Sequence, residues 1–148
     1  MQWDDSPHAG FSAARPWLPV AGDYRNKNVN LQQQEAGSLL HFYRRLIWLR
    51  KAHSALQAGS IRFMEEYLPE MLVYIREDGN EKLIVILNFT GKTLQFAQSE
   101  SLMQNLKISG GQTAAPAVLL GTLRESGQLL DFAEGIRFMP YEVVISTL

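Results

Sequence analysis

The stretch that decides the fold runs from residue 71 to residue 89 and reads MLVYIREDGNEKLIVILNF. Two apolar runs, 71–76 and 82–89, flank the segment Glu-Asp-Gly-Asn, and an Asp-Gly pair between such runs is a strong signal for a tight turn between antiparallel strands. The second run is apolar at every position from Leu83 to Leu87, which is typical of a strand covered on both faces. We therefore predict a β-hairpin whose second strand lies centrally in a sheet.

Beyond residue 89, turn signals divide the chain into further short apolar runs, among them 117–120 and 142–145. Strands at this spacing predict a mainly β protein, an antiparallel sandwich or a barrel. The Gly-, Ala- and Ser-rich stretch 109–116 is predicted to be a surface loop. A sandwich core is expected to contain Leu72, Tyr74, Leu83, Val85, Leu87, Phe89, Val143 and Ile145.

Upstream of the predicted sheet, residues 1–34 contain scattered Pro, Gly and aromatic residues without an apolar period, which predicts a long loop. A loop of this length normally packs against another part of a protein. From Leu39 to Leu56, apolar residues recur at spacings of three and four, the pattern of an amphipathic helix. Ser38 is its expected N-cap, and Gly59 its expected stop.

The composition of the 148 residues excludes several classes of function. Lys and Arg number 14 against 15 Asp and Glu, so the net charge of -1 provides no field for nucleic acid or anionic lipid. There is no cysteine, and the N-terminal residues do not resemble a signal peptide. We expect a cytoplasmic protein with no cofactor, no metal and no nucleic-acid or membrane partner.

Five runs of residues carry a resemblance to a known family. The N-terminal run MQWDDSPHAGFS, followed by Pro16-Trp-Leu-Pro, resembles the segment after the eighth barrel strand in glycoside hydrolase family 13. The run FYRRLIWLRKAH at 42–53 is similar to the last barrel helix of that family, and Asn88-Phe-Thr and Pro140-Tyr-Glu resemble strands of its C-terminal domain. The resemblance points to the oligo-1,6-glucosidase and trehalose-6-phosphate hydrolase branch of the α-amylase family.

This resemblance implies a domain organisation and a parent activity. Residues 1–57 would be a remnant of the catalytic (β/α)8 barrel, with the loop at 1–38 and the last helix at 39–56. Residues 58–148 would be a C-terminal β-sandwich of the Greek-key type. The parent reaction would be the retaining hydrolysis of α-glucosidic bonds in oligosaccharides, which needs two carboxyl groups about 5 to 5.5 Å apart. The motifs that carry them in the family precede the matched segment, so no catalytic residue is assigned and the chain alone is expected to be inactive.

The resemblance places the N-terminal loop at the border of the family's substrate pocket, where Trp3 and Asp4 are candidates for the substrate rim. Packing of Trp3 against barrel neighbours is an equally plausible role. The nearest approach to an acid/base or metal cluster is formed by Asp4, Asp5 and His8, but turn formation explains adjacent Asp residues better. Oligosaccharide is expected to bind only in the context of the full barrel.

The predicted helix carries basic and aromatic residues that have ordinary explanations. A basic cluster suggests a phosphate site, although a solvated helix face that complements the helix dipole explains it better; its members are Arg44, Arg45, Arg50 and Lys51. His41 and His53 are too far apart along one helix to share a metal, so both are expected to pack or form hydrogen bonds. Trp48 lies off the apolar stripe and could pack on a neighbour, pack on the sandwich or be exposed as a sugar platform.

Two other functions remain open from the sequence. The chain could be a free-standing carbohydrate-binding sandwich, which needs exposed rings, but its strand phenylalanines lie in apolar contexts typical of a core; these are Phe89, Phe96, Phe132 and Phe138. It could also be an orphan fragment without activity. In either case the apolar circumference of the helix is wide, and we expect a homodimer through its exposed face.

Overall fold

The computed structural model of the protein describes residues 2–79, 81–97, 99–100, 102 and 116–148. The chain forms two compact units, Met1–Ile47 and Trp48–Leu148. The domain boundary expected between residues 57 and 58 concerns the organisation of a parent enzyme, and it stays a prediction. Most of the expected surface loop at 109–116 lies outside the described residues.

The N-terminal segment is less irregular than its sequence suggests. A 3-10 turn spans Pro7–Gly10, and a short helix, α1, spans Val29–Gln34. The prediction of a loop throughout 1–38 is therefore wrong for α1. This helix is too short to show a 3.6-residue period, and it depends on Asn28, whose Oδ1 accepts the Leu31 amide at 3.0 Å while its Nδ2 donates to the Tyr24 carbonyl at 2.9 Å.

The main helix, α2, spans Leu39–Ala52. Ser38 caps it as expected, because Ser38 Oγ accepts the His41 amide at 3.4 Å. The expected end at Leu56 is wrong: His53 is extended, with φ of -118° and ψ of 115°, and a separate short helix, α3, spans Ser54–Gln57. No helix in the described part of the chain is long and apolar enough to cross a bilayer.

In the part of the chain that the structure describes, seven strands follow α3, and they form two antiparallel sheets. The larger sheet has the order β1-β2-β3-β7-β5, and the smaller sheet pairs β4 with β6. The strands are β1 (Ser60–Phe63), β2 (Met71–Asp78), β3 (Glu81–Asn88), β4 (Leu94–Phe96), β5 (Val118–Gly121), β6 (Ile136–Phe138) and β7 (Val143–Thr147). The mainly β fold, the β2–β3 hairpin and the central place of β3 are confirmed.

The two sheets share one apolar core. The face of the larger sheet that contributes to this core is not the face we expected. Its strand residues are Met71, Val73, Ile75, Ile84, Ile86, Phe96, Val118, Ile136, Phe138 and Val144. Of the expected core residues, Leu83, Val85 and Ile145 are buried. They lie on the face of the larger sheet that points away from the smaller sheet, where α3 packs against β2 and β3. The remaining expected positions, Leu72, Tyr74, Leu87 and Val143, are only half-buried, and Phe89 is 62% exposed.

A buried polar cluster closes one end of the larger sheet. Asn88 Nδ2 donates to the carbonyls of Lys92 and Met139, both at 2.8 Å, and so ties two turns together. Glu142 is fully buried, and its Oε1 lies 2.7 Å from Arg124 Nε in a charge contact rather than an aligned hydrogen bond. The Asn-Phe-Thr and Pro-Tyr-Glu motifs of the sequence thus lie together at this end of the sheet.

Candidate functional site

Asp4 organises the N-terminal loop as a turn. Its Oδ1 accepts the Ser6 amide at 2.9 Å and the Ser6 hydroxyl at 2.5 Å. The Ser6 hydroxyl, and next the Ser6 amide, lower the pKa of Asp4 below its ordinary value. A side chain at Gly10 would lie 2.6 Å from the Asp4 carboxylate, so the loop closes against it. Asp4 therefore has the turn-forming role that the sequence favours.

The other N-terminal candidates do not join Asp4 in a cluster. The Trp3 amide donates to the Ala9 carbonyl at 2.9 Å, while the indole remains half exposed. Asp5 is exposed and His8 is half-buried. Within the described residues there is no group of three or more His, Cys, Asp or Glu side chains that could hold a metal. A role for Trp3 and Asp4 at a substrate rim stays a prediction.

A cleft that the sequence did not reveal lies beside this turn. Its volume is about 250 Å³, and its lining residues include His8, Phe11, Pro16, Trp17 and Pro19. Trp17 is 91% exposed. His8, Ala9 and Gly10 all have left-handed backbones with φ near +60°, a costly conformation for His8 and Ala9. The available signal in the sequence was Trp17 between Pro16 and Pro19, with Phe11 upstream, but such a pattern does not distinguish a cleft from aromatic packing.

The two histidines of the predicted helix form hydrogen bonds, as expected. His41 Nε2 lies 3.0 Å from the Gln33 carbonyl, and His53 Nδ1 lies 2.6 Å from Glu81 Oε1. Glu81 Oε2 also accepts the Ala55 amide at 2.8 Å and the Ser54 hydroxyl at 3.2 Å. The Ala55 amide is the main reason why the pKa of Glu81 lies below its ordinary value.

This Ser54, His53 and Glu81 group has the composition of a catalytic triad but not its geometry. A nucleophilic serine needs its hydroxyl against the imidazole, which takes its proton. In the structure, the serine hydroxyl and the imidazole each contact the carboxylate instead. The Glu81 carboxylate therefore caps α3 and links it to β3. The same contacts account for the break between α2 and α3 at His53.

The basic cluster of α2 is exposed and binds no carboxylate among the contacts of the described residues. Arg45 lies over the Phe42 ring, with 5.8 Å between its guanidinium carbon and the ring centroid. Lys51 lies over Trp48 at 4.9 Å from its centroid, and Trp48 is largely exposed. Of the three roles considered for Trp48, packing on the sandwich is the one that its exposure disfavours.

Comparison with known proteins places these features in a family. The sequence model described as "Alpha amylase, catalytic domain" matches residues 1–59. The oligo-1,6-glucosidase of Parageobacillus thermoglucosidasius is 41% identical over 107 residues, which cover 72% of this chain and 19% of that protein. The chain belongs to the α-amylase family. The predicted family and branch are confirmed.

Solved structures of the same family resemble the chain along nearly its whole length. The trehalose-6-phosphate hydrolase of Bacillus licheniformis superposes with a TM-score of 0.79 at 27% identity, covering 99% of this chain and 24% of that one. The trehalulose synthase MutB of Pseudomonas mesoacidophila MX-45 gives a TM-score of 0.80 at 25% identity over the same shares. The chain thus spans about a quarter of the length of these family members.

Proposed function

We propose that this chain is the non-catalytic, C-terminal portion of an α-amylase-family α-glucosidase. Residues 1–57 supply the last loop and helix of the barrel, and residues 58–148 form a Greek-key sandwich that braces the barrel. One observation carries the proposal: the match of residues 1–59 to the catalytic-domain model, within a chain that resembles about a quarter of each solved relative. The parent reaction is the retaining hydrolysis of α-glucosidic bonds, and the proposed location is the cytoplasm.

The chemistry of the N-terminal unit supports a non-catalytic role. The described residues that line its cleft include no Asp or Glu. Asp4 is held in a turn by Ser6, and Asp23 pairs with Lys27 at 2.9 Å. A retaining glycosidase needs one carboxylate free to attack and a second carboxyl group to donate a proton across the bond. Neither role has a candidate in this cleft.

The decisive assay is hydrolysis of a chromogenic α-glucoside by the purified chain. We expect no turnover above a buffer control, because the pair of reacting carboxyl groups is missing. Turnover that disappears in the Asp4→Asn or Asp5→Asn variant would contradict the proposal, since it would place the reacting carboxylate within this chain. A full-length oligo-1,6-glucosidase serves as the positive control.

One observation favours the second candidate function, a carbohydrate-binding module. Phe96, Phe132 and Phe138 are buried as expected, but Phe89 is exposed, and Tyr141 on the adjoining turn is 68% exposed. The Tyr141 amide donates to the Thr90 carbonyl at 3.2 Å, so the two turns that carry these rings are bonded together. Exposed aromatic rings can stack on sugars. Calorimetric binding of isomaltose that is lost in the Phe89→Ala variant would favour this function over the first.

A further inference from the structure

The tip of the β2–β3 hairpin contains two neighbouring groups that can react with each other. Asp78 is the last residue of β2, and Gly79 follows it with φ of +59°. Within the described residues, the exposed Asp78 carboxylate has no hydrogen-bond or ion-pair partner, and the Gly79 amide donates no hydrogen bond. A Cβ added at Gly79 would meet no atom within 4 Å, so this peptide bond lies open to water.

The other aspartates of the described chain lack this combination. Asp4 and Asp131 each accept a backbone amide at 2.9 Å, and Asp23 pairs with a lysine at 2.9 Å. None of these three residues precedes a glycine, and neither does Asp5. A following glycine matters because it has no side chain to obstruct the approach of its nitrogen to the carboxyl group. Asp78 is therefore the aspartate best suited to react with its own backbone.

The last residue pair of the hairpin is the part of the ladder that should open most readily. Asp78 lies directly opposite Glu81, and like charges at such positions destabilise a strand pair. One step further in, Glu77 pairs with Lys82 Nζ at 3.1 Å, which holds the ladder beyond this point. An extended backbone keeps the Gly79 nitrogen turned away from the preceding side chain, and local opening of the last pair removes this restriction.

We propose that Asp78 is a site of spontaneous isomerisation to isoaspartate. The Gly79 nitrogen attacks the carbon of the neutral side-chain carboxyl group, and the amide proton leaves with the carboxyl hydroxyl as one molecule of water. The product is a succinimide ring. Water then opens this ring: cleavage between the nitrogen and the main-chain carbonyl carbon gives isoaspartate, and cleavage of the other bond restores aspartate. One water leaves and one enters, so the reaction needs no oxidant or cofactor, and it does not depend on the proposed function.

Isomerisation at this position should affect the contact between β3 and α3. Isoaspartate carries the main chain through the former side-chain carboxyl group, which adds one methylene group to the backbone before Gly79. The added length displaces the pair of Asp78 and Glu81. Glu81 is also the residue that binds His53 and the Ala55 amide. A chain with isoaspartate at position 78 should therefore hold α3 less firmly.

The test is prolonged incubation of the purified chain near neutral pH, followed by digestion with trypsin. Cleavage after Arg76 and Lys82 releases the peptide 77–82, in which electron-transfer mass spectrometry distinguishes isoaspartate from aspartate at equal mass. We expect isoaspartate to accumulate at position 78 to a level several-fold above that at Asp131. The Gly79→Ala variant should form several-fold less, because its methyl group obstructs the attack. The Asp78→Glu variant retains Gly79 and the charge but should form none, because a ring larger by one methylene closes slowly.

Incubation continues until a synthetic peptide of residues 77–82 has isomerised measurably. Isomerisation in this peptide but not in the folded chain would overturn the proposal, as would equal isoaspartate at Asp78 and Asp131. The isoaspartate-containing fraction, separated by ion exchange, should melt at a lower temperature than the fresh chain. Treatment with isoaspartyl methyltransferase and S-adenosylmethionine should restore the melting temperature. Equal melting of the two fractions would overturn the predicted effect on α3.

Discussion

At the scale of single residues, short polar side chains decide the paths of the loops. Asp4 binds the backbone and hydroxyl of Ser6, Asn28 caps α1, and Asn88 joins two turns through the carbonyls of Lys92 and Met139. Asn28 and Asn88 are almost fully buried, so their amide groups need these partners. Asp4 and Asn88, which lie in the motifs that resemble the family, thus have structural roles in this chain.

Glu142 is the residue whose loss should be most costly at this scale. It is buried, pairs with Arg124, and accepts the Met139 amide at 2.7 Å. Replacing it by Leu leaves the largely buried guanidinium without its counter-charge, and we expect a loss of about 3 kcal/mol in the free energy of unfolding. Urea unfolding followed by circular dichroism measures this loss.

The control for Glu142 is the double variant Arg124→Met with Glu142→Leu. It leaves no unpaired charge, so it should be more stable than Glu142→Leu alone, although the Met139 amide still loses its acceptor. Equal stability of the single and double variants would show that the ion pair is not what the single substitution breaks.

At the scale of elements, Glu81 separates α2 from α3. It lies at the start of β3 and binds His53, Ser54 and the Ala55 amide, so the helix cannot continue through His53. Gly59 then allows close approach, because a Cβ there would lie 2.5 Å from the Ala55 carbonyl oxygen. The break between the two helices depends on contacts between residues 53–55 and Glu81, which are distant in the sequence. No local sequence pattern therefore predicts it.

The lowered pKa of Glu81 predicts a pH-dependent contribution to stability. A carboxylate that is better bonded in the folded state stabilises above its ordinary pKa of 4.5 and loses this effect as the pH falls towards the lower folded value. The Glu81→Gln variant should therefore melt at a lower temperature than the original chain at pH 7, and the difference should narrow below pH 4.5. Glu134→Gln, at an exposed turn position, should melt as the original chain does at both pH values.

Strand β3 is apolar on both faces. Val85 lies on the face that packs against α3, so its substitution tests the burial of that face. Val85 is 3% exposed, so the Val85→Ala variant leaves a partial cavity and should lose about 2 kcal/mol in the free energy of unfolding. Phe89→Ala is the control at the exposed end of the same segment and should change stability by no more than about 0.5 kcal/mol. Equal losses in denaturant unfolding would show that burial does not distinguish these positions.

At the scale of the whole molecule, the chain combines a unit matched by a catalytic-domain model with a unit built around a two-sheet core. Its relatives are much longer, and the first unit has a wide exposed apolar surface. A surface of this kind normally has a partner. The proposed bracing role describes the chain as one part of a larger enzyme.

The sequence by itself determined the family, the β2–β3 hairpin, the central position of β3 and the start of α2 at Ser38. These features have local causes: rare residues in order, an Asp-Gly turn, a continuous apolar run and a capping hydroxyl. Such signals act within a few residues and do not depend on what packs against them. The turn made by Asp4 could be predicted from the sequence for the same reason.

Only the tertiary structure decided which face of β3 meets the second sheet, where α2 ends, and that Phe89 is exposed. Alternation identifies a buried face only when the other face is polar, and β3 is apolar on both. The break at His53 depends on Glu81, 28 residues away, and the N-terminal cleft depends on a left-handed backbone at His8 and Ala9. Long-range contacts and backbone strain have no local pattern, which is why the sequence could not specify them.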